Sequence, residues 1–441
     1  MKKIGLISLL LISFVLTTFF QNTQNIIFAD SDQLDKIIID EVEGRTIEVL
    51  LPESYNSSNK RYPVVYMHDG QEIFSDPIVS SGKWNVDRIV EELTNDGLID
   101  ELIVIAIHHA GDDKGRLMDY VPYEQSIEFM GWYTDGSSSK EFSELLINKI
   151  IPHVDEQYRT IPNSQNRAIM GASWGGIHAF WLGYHYPDVF STVGAFSPSF
   201  WVGNYQYRIY EEVDHLNKPD IKIWFDYGTA EGSYEAQMID HLVDKGFVYG
   251  EDLFYLFDEG AEHNSEAWGD RIKNALILFN GDPATKAINM DVNTNEILNL
   301  HPYHSKDTSL EINPVVTLDN GILFSARQLV KYKVEDKHKG YVDEDGFAAF
   351  NSNDDLIVNL KYNNIQQNIE LSFSNLQKSY LDSLPFEKPN ILNHFKVTYS
   401  EIINEYVSKE MLNMIIKLGE QTGFIKIIEE TGEYIILDSN I

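Results

Sequence analysis

The sequence predicts an α/β protein whose mostly parallel sheet is covered by helices on both faces, followed by a smaller β-rich part. Two observations lead to this fold class. From about Asp35 to Asn280, apolar runs rich in β-branched residues alternate with helical stretches, which is typical of strands joined by crossover helices. After Gly281-Asp282-Pro283 the helical stretches give way to short alternating runs between turn residues. The length of 441 residues also exceeds that of one ordinary domain.

The elements of the α/β part are assigned from apolar periodicity and from residues that end helices. Pro187 and Gly246 each follow a predicted helix, at positions where these residues commonly end one. The predicted strands are Ile37–Leu51 (an antiparallel start), Tyr62–Met67, Leu102–Ile107, Arg167–Met170, Val193–Phe196, Ile221–Phe225 and Leu253–Phe257. The predicted helices are Lys140–Tyr158, Gly176–Tyr186, Tyr234–Lys245 and Glu266–Phe279.

The C-terminal third is predicted to be β-rich. Ser309–Ser374 contains short alternating strands between turn residues, which indicates a small antiparallel domain of sandwich type. The tail contains a predicted helix over Glu401–Leu418 and a hairpin that pairs Ile425–Ile428 with Tyr434–Leu437. We therefore expect an α/β domain at 30–283, a β-rich accessory domain at 284–384 and an α+β tail of unknown role at 385–441.

Composition excludes several classes of function. The net charge of −34 repels nucleic acid and anionic surfaces, so nucleic-acid binding is not expected. The absence of cysteine excludes a thiol nucleophile, a thiolate metal site and disulfide bonds. Neither a metal nor an organic cofactor is expected: adjacent His108 and His109 point in opposite directions after a strand, and Asp343–Gly346 is too short for a calcium loop.

The N-terminus has the pattern of an export signal. Lys2 and Lys3 precede an apolar run over Ile4–Phe20, and we expect cleavage after Ala29, so that residues 1–29 are a signal peptide. The cleavage site contains few small residues, and an uncleaved N-terminal anchor is the alternative. No later run is long and apolar enough to span a membrane. The protein is therefore expected to be secreted or at the cell surface, in an oligomeric state that the sequence leaves open.

A G-x-S-x-G motif lies where a predicted strand meets a predicted helix. Gly171-Ala172-Ser173-Trp174-Gly175 follows the strand Arg167–Met170 and precedes the helix from Gly176. In this context the motif predicts a tight turn that exposes Ser173 as a nucleophile above a helix N-terminus, which suits a developing oxyanion. The alternative is an ordinary tight turn with an incidental serine.

A serine nucleophile needs a base and an acid, and in folds with this turn they follow in the order Ser, Asp/Glu, His. Asp226 and Glu231 lie just after the strand Ile221–Phe225, and both are candidates for the acid. His263 follows the strand Leu253–Phe257 and opens the last helix, where a base is expected, although a capping or surface histidine is the alternative. A second oxyanion donor is expected from the loop His68-Asp69-Gly70-Gln71.

Several separated motifs together resemble one family. They occur in the order YPVVYMHDGQEIF, WNVD, GRLMDYVP, IIPHVDEQYRT, GASWGG, SPSFW, DYGTAEG and GAEHNSEAW. From about Asp35 to Asn280 the chain resembles the esterases related to S-formylglutathione hydrolase (esterase D), which include feruloyl and enterochelin esterases and, more distantly, secreted mycolyltransferases. The resemblance does not extend over the C-terminal third.

This resemblance implies an α/β-hydrolase fold and assigns roles to individual residues. It makes Ser173 the nucleophile and His263 the base, and the Gly-Thr-x-acid pattern at 228–231 favours Glu231 as the acid over Asp226. Many relatives carry aspartate at this position, so glutamate is a departure from the family pattern. The oxyanion donors would be the backbone N–H groups of Trp174 and Gln71.

The function expected is that of an exported serine carboxylesterase acting through an acyl-enzyme. Two alternatives remain, namely an acyltransferase with the same triad and a catalytically silent protein that binds cell wall or polysaccharide. A small-molecule or polysaccharide-linked ester is the expected substrate. Trp201, Trp132, Tyr120 and Arg116 are candidates for contacting it. The alternatives are ordinary packing for each aromatic residue and a structural ion pair for Arg116.

Overall fold

The structure of the 441-residue chain is a computed structural model. The structure describes residues 37–75, 83–122, 127–129, 132–134, 139–200, 207–231, 237–297, 309–350, 352, 354–372, 425–428 and 433–436. The expected signal peptide at 1–29 lies outside these residues. Among the helices of the described residues, none combines the length and the apolar character that crossing a membrane requires.

A mixed sheet of eight strands organises the α/β part. Its strand order is β1-β2-β4-β3-β7-β8-β9-β10. β1 and β2 form an antiparallel hairpin and β2 pairs antiparallel with β4, whereas the pairs from β4 through β3, β7 and β8 to β9 are parallel. The strands are β1 Ile37–Val42, β2 Arg45–Leu50, β3 Val64–Met67, β4 Ile103–Ile107, β7 Arg167–Ala172, β8 Thr192–Phe196, β9 Lys222–Gly228 and β10 Leu253–Asp258. A separate two-stranded ribbon pairs β5 Ile127–Phe129 with β6 Trp132–Thr134.

The central strands are buried along their whole length. Every residue of β3, β4, β7 and β8 is buried, so these strands are covered on both faces, as expected for parallel strands joined by helical crossovers. The helices are α1 Val86–Asn95, α2 Asp113–Tyr120, α3 Ser139–Leu145, α4 Ile151–Gln157, α5 Trp174–His185, α6 Tyr207–His215, α7 Gln237–Asp244 and α8 Ser265–Asn280. A π-helical stretch over Leu146–Ile150 joins α3 to α4, so the helix predicted over Lys140–Tyr158 is confirmed with an irregular centre.

The chain divides into two compact units. The first contains the described residues of Met1–Asp226, Glu235–Val248 and Glu262–Asp282, and the second contains those of Tyr227–Tyr234, Tyr249–Ala261 and Pro283–Ile441. β10 therefore groups with the C-terminal part, although the sequence places it before the domain boundary expected at residue 283.

Contacts inside the second unit explain why β10 groups with it. The ring of Phe254 meets that of Phe324 edge-on at 5.4 Å, and Asn313 Nδ2 donates to the carbonyl of Phe257 at 2.9 Å. Ser325 Oγ accepts from the Phe257 N–H at 2.9 Å, and the hydroxyl of Tyr249 donates to the Ser325 carbonyl. β10 is thus bound by side chains of the C-terminal region.

The second unit is β-rich, as predicted. Its strands pair antiparallel in a five-stranded and a three-stranded sheet, and a further hairpin lies in the tail. The five-stranded sheet holds β11 Ala287–Ile297, β12 Ser309–Leu318, β13 Leu323–Ser325, β15 Gly340–Val342 and β16 Phe347–Phe350. The three-stranded sheet holds β14 Lys331–Val334, β17 Leu356–Tyr362 and β18 Ile365–Leu371, and the hairpin is β19 Ile425–Ile428 with β20 Glu433–Ile436. The helix predicted over Glu401–Leu418 lies outside the described residues.

Candidate active site

The G-x-S-x-G motif, residues 171–175, forms a sharp turn between β7 and α5, which we call the elbow. β7 ends at Ala172, α5 begins at Trp174, and Ser173 between them has φ 57° and ψ −118°. Backbone hydrogen bonds hold the turn in place. The Ser173 N–H donates to the Phe196 carbonyl at 2.9 Å, and the Ser173 carbonyl accepts from the N–H groups of Ile177 and Ser199. A serine in a backbone region that only glycine adopts readily is an outlier of the kind that occurs at functional sites.

Close packing explains the glycine before this serine. A Cβ atom at Gly171 would lie 2.6 Å from the carbonyl oxygen of Gly175 and 2.9 Å from Cδ2 of His68. The first contact is with backbone of the helix that follows, and backbone cannot turn aside as a flexible side chain can. The end of β7 and the start of α5 can therefore approach this closely only without a side chain at position 171.

The loop after β3 forms a single 3-10 turn over Gly70–Glu72 next to the elbow. Asp69 precedes this turn with φ 55°, and a Cβ atom at Gly70 would lie 2.7 Å from the backbone of Ile107 at the end of β4. The side-chain amide of Gln71 exchanges hydrogen bonds of 3.3 Å with the backbone of His109. The backbone N–H of Gln71 has no hydrogen-bond acceptor in the described part of the chain. Residues 69–71, which the sequence predicts to supply an oxyanion donor, are called the oxyanion loop.

Arg116 on α2 joins this loop to the elbow. Its guanidinium donates to both carboxylate oxygens of Asp69, at 2.6 and 2.8 Å, and to the carbonyl of Ala172 at 3.2 Å. It also lies over the ring of Trp174, at 5.3 Å from the centroid. Burial lowers the pKa of Arg116, but the adjacent Asp69 carboxylate outweighs this effect, so the net shift is upward and the guanidinium stays charged. The structure therefore places Arg116 in an internal ion pair, and its contact with substrate stays a prediction.

Two buried histidines lie beneath the elbow. His68 directly precedes the oxyanion loop, and its Nε2 lies 3.0 Å from Nδ1 of His178 on α5. Nε2 of His178 lies 3.1 Å from the hydroxyl of Ser143 on α3. Burial lowers the pKa of both imidazoles, to about 3 for His178, so both rings are neutral at pH 7. The sequence gives no signal for this pair, because the two histidines are 110 positions apart.

The two candidate acids have different environments. Asp226 is fully buried, accepts from the indole N–H of Trp224 at 2.8 Å, and lies 3.0 Å from Nε of the buried Arg271. Glu231 ends a 3-10 turn just after β9, is half-buried, and accepts from the backbone N–H of Gly228 at 2.7 Å. Asp226 is thus engaged in a buried ion pair with Arg271, whereas Glu231 belongs to a surface loop of the second unit.

His263 lies in the loop before α8, in the same unit as Ser173. It is exposed, and its ring meets the ring of Trp268 edge-on at 5.0 Å. The next residue, Asn264, caps α8 by accepting from the Ala267 N–H at 2.9 Å. The indole N–H of Trp268 donates to Ser197 Oγ at 2.9 Å, so the surface that His263 contacts is anchored to the loop after β8. The capping role thus falls to Asn264 and not to His263.

The other residues predicted to contact substrate have mixed outcomes. Tyr120 is 0% exposed, and its hydroxyl accepts from the Asp69 N–H at 2.9 Å. Tyr120 therefore stabilises the oxyanion loop from inside the core. Trp132 begins β6, and Trp201 lies outside the described residues. Their contact with substrate stays a prediction. The hydroxyl of Ser199, which the sequence does not single out, lies 3.4 Å from Ser173 Oγ.

Comparison with known proteins identifies the family. Residues 43–279, more than half of the chain, match the family model Esterase, described as "Putative esterase". The chain is 24% identical over 250 residues to the uncharacterized protein YbbA of Bacillus subtilis, covering 54% of this chain and 93% of that protein. It is 28% identical over 159 residues to an endo-1,4-beta-xylanase/feruloyl esterase of Xylanibacter ruminicola, covering 35% of this chain and 19% of that protein. Among solved structures, the CE1 ferulic acid esterase of Anaeromyces mucronatus matches with a TM-score of 0.43 and 22% identity, over 55% of this chain and 89% of that one. The extent of the family match means that the chain belongs to this esterase family.

Proposed function

We propose that the protein is an exported serine carboxylesterase that hydrolyses carboxylic esters through an acyl-enzyme. The observation that carries the proposal is the backbone of Ser173, held at φ 57° between β7 and α5. A chain that keeps a serine in this region, with the N-terminus of a 12-residue helix directly after it, is suited to present the hydroxyl to a substrate carbonyl. Membership of the esterase family supports ester hydrolysis as the chemistry.

In this proposal His263 is the general base and Glu231 is the acid that orients it. The chain order Ser173, Glu231, His263 and the position of each residue just after a strand support the assignment. Glu231 is preferred to Asp226 because the Asp226 carboxylate lies in a buried ion pair with Arg271. The Gly228 N–H also donates to one oxygen of Glu231, which restrains this carboxylate just after β9.

The oxyanion would be held by the backbone N–H groups of Trp174 and Gln71. Trp174 is the first residue of α5, and the N–H groups of a first helical turn have no acceptor within the helix. Gln71 belongs to the oxyanion loop, which Arg116 and Tyr120 hold beside the elbow. Losing one such donor typically lowers the rate by about 10²–10³-fold.

The reaction follows from these roles. His263 takes the Ser173 proton as Oγ attacks the ester carbonyl, and Glu231 stabilises the imidazolium that forms. The tetrahedral intermediate collapses as His263 returns the proton to the leaving alcohol, which leaves Ser173 acylated. His263 then takes a proton from water as the water oxygen attacks the acyl-serine. The second tetrahedral intermediate collapses as His263 returns the proton to Ser173 Oγ, which releases the carboxylic acid and restores the serine. Every step uses side chains or backbone of this chain and water.

The remaining expectations complete the proposal. Residues 1–29 would direct export, residues 30–283 would form the esterase domain, and residues 284–384 a sandwich-like accessory domain, with a tail at 385–441. A small-molecule or polysaccharide-linked ester is the proposed substrate. Similarity to an endo-1,4-beta-xylanase/feruloyl esterase supports the testing of feruloyl esters alongside simple acyl esters.

The decisive test compares three purified proteins with p-nitrophenyl acetate and a fluorophosphonate probe. Wild type and Ser191→Ala, a matched serine outside the proposed site, should hydrolyse the ester and be labelled, and Ser173→Ala should do neither while remaining folded. Turnover by Ser173→Ala would contradict the mechanism. An unlabelled wild type would instead favour a silent binding protein, and an acyl product that grows with added sugar or lipid alcohol would favour acyl transfer.

A further inference from the structure

The buried histidines beneath the elbow are part of a hydrogen-bonded chain with a defined direction. The Ser143 hydroxyl donates to the carbonyl of Ser139 at 2.6 Å, because a carbonyl can only accept. That bond uses the only proton of the hydroxyl, so the 3.1 Å contact between Ser143 Oγ and His178 Nε2 requires His178 to donate. In a neutral imidazole with its proton on Nε2, Nδ1 is a bare acceptor.

The direction of the chain also determines the tautomer of His68. Because Nδ1 of His178 accepts, Nε2 of His68, 3.0 Å away, must donate. His68 therefore carries its proton on Nε2. Its Nδ1 is unprotonated and has no hydrogen-bond partner among the described residues. Both rings are fully buried, with 1% and 0% exposure for His68 and His178, so neither bond is shared with solvent.

His68 links this chain to both halves of the proposed site. Its backbone N–H donates to the Met170 carbonyl of β7 at 3.0 Å, and the next residue along the chain is Asp69 of the oxyanion loop. Its ring edge occupies the space beside Gly171, and its Cβ lies 3.2 Å from the position that a Cβ at Gly175 would take. The side chain of His68 thus fills the gap between the end of β7 and the start of α5. A rotation of this ring would move either the loop or the elbow.

We propose that His178 is a positioning residue for ester hydrolysis: its Nδ1 lone pair fixes the ring of His68, which keeps the oxyanion loop in register with the Ser173 elbow. The inference rests on the function proposed above and extends it to a residue that would not touch substrate. Because an oxyanion hole acts mainly in the transition state, a loosened loop lowers kcat and leaves KM nearly unchanged.

The test uses variants of His178 that remove one or both hydrogen bonds. His178→Phe removes both, whereas His178→Asn keeps an acceptor oxygen at the position of Nδ1 and loses only the donor to Ser143. We expect His178→Phe to lower kcat roughly 10–100-fold with KM within about two-fold, since a displaced donor loses part of its full effect. His178→Asn should recover most of this loss. Phe142→Leu is the matched control, because Phe142 packs against both imidazole rings and forms no hydrogen bond in the chain.

Three outcomes would overturn the proposal. Equal kcat values for His178→Phe and Phe142→Leu, at matched folded fractions, would show that only packing matters. A loss confined to KM would remove the link with the transition state, and a His178→Asn variant as slow as His178→Phe would show that the Nδ1 acceptor is not the group that matters.

A tautomer measurement on wild type tests the chain even if His178→Phe does not fold. Long-range proton–nitrogen NMR at pH 7, with His178 assigned from the His178→Asn spectrum, should show both rings neutral with the proton on Nε2. A charged ring, or a proton on Nδ1 of His178, would refute the inference. This readout does not depend on catalysis, so a wild type as inactive as Ser173→Ala would count against the proposed function alone.

Discussion

The strained backbone of Ser173 predicts that replacing this residue with glycine stabilises the protein relative to alanine. Ser173→Ala and Ser173→Gly remove the same hydroxyl and the same 3.4 Å contact with Ser199 Oγ. They differ in the backbone, because alanine stays in the unfavourable region at φ 57° and ψ −118°, whereas glycine adopts it readily. The comparison therefore isolates the cost of holding a side-chain-bearing residue in the elbow.

Two opposing terms set the magnitude. A non-glycine residue in a sparsely populated backbone region costs about 1–3 kcal/mol, which glycine removes. Glycine also gives the unfolded chain more freedom, which lowers stability by roughly 0.4–1 kcal/mol relative to alanine. The difference favours Ser173→Gly by about 1 kcal/mol. For a unit of 150–250 residues this corresponds to a rise in Tm of about 2–4 °C.

Differential scanning calorimetry of the two variants measures this difference directly. The quantity compared is the Tm of the unfolding transition that the substitutions at position 173 shift. The matched control is the same pair of substitutions at Ser191, whose φ is not positive, and there Ser191→Gly should melt below Ser191→Ala. The sign should thus reverse between the two positions. A Ser173→Gly protein that melts at or below Ser173→Ala would refute the claim that the elbow is strained.

Three further predictions follow from the site. Glu231→Gln should lower kcat by at least about 10²-fold, whereas Asp226→Asn should lower the unfolding temperature and leave kcat per folded molecule nearly unchanged, since removing one partner of a buried ion pair is destabilising. Arg116→Lys should lower kcat by roughly 10-fold with little change in KM, because lysine cannot reproduce the two-pronged bond that orients the oxyanion loop, and steady-state kinetics measures this. Burial lowers the pKa of His68 and His178 from 6.5, so below that pH the unfolded chain binds protons that the folded chain does not. The free energy of unfolding, measured with urea, should therefore be highest above about pH 6.5. Below it, this free energy should fall by an amount approaching roughly 1.4 kcal/mol per pH unit for each histidine. Stability that stays flat from pH 7 to 5 would contradict that last prediction.

Strands and long helices of the α/β part could be predicted from the sequence, because burial on both faces requires continuous apolar runs and amphipathic helices repeat every three to four residues. The helices α1, α2 and α6 were not predicted. α2 is short, highly charged and interrupted by Gly115, so it has little apolar periodicity of its own. It is held by tertiary bonds instead, through the ion pairs of Arg116 with Asp69 and of Asp119 with Arg45. A helix fixed mainly by distant partners leaves little trace in local sequence.

The same distinction applies to the site. The elbow and the oxyanion loop can be recognised from local motifs, because the sharp turns require glycine at particular positions. Periodicity and chain order do not choose between Asp226 and Glu231, since both are acidic and both follow the strand predicted over Ile221–Phe225, and only the Gly-Thr-x-acid pattern of the family resemblance favours Glu231. In the structure β9 extends to Gly228, so Asp226 lies inside the strand and only Glu231 follows it. The choice also depends on Arg271, 45 positions beyond Asp226, whose guanidinium approaches the Asp226 carboxylate in the core. A carboxylate that pairs with a buried guanidinium would have to leave it in order to stabilise a catalytic imidazolium. The guanidinium would then be a buried charge without a counter-ion, which is strongly destabilising. Burial beside Arg271 is therefore a stronger reason to assign the acid to Glu231 than the spacing of either residue from the strand.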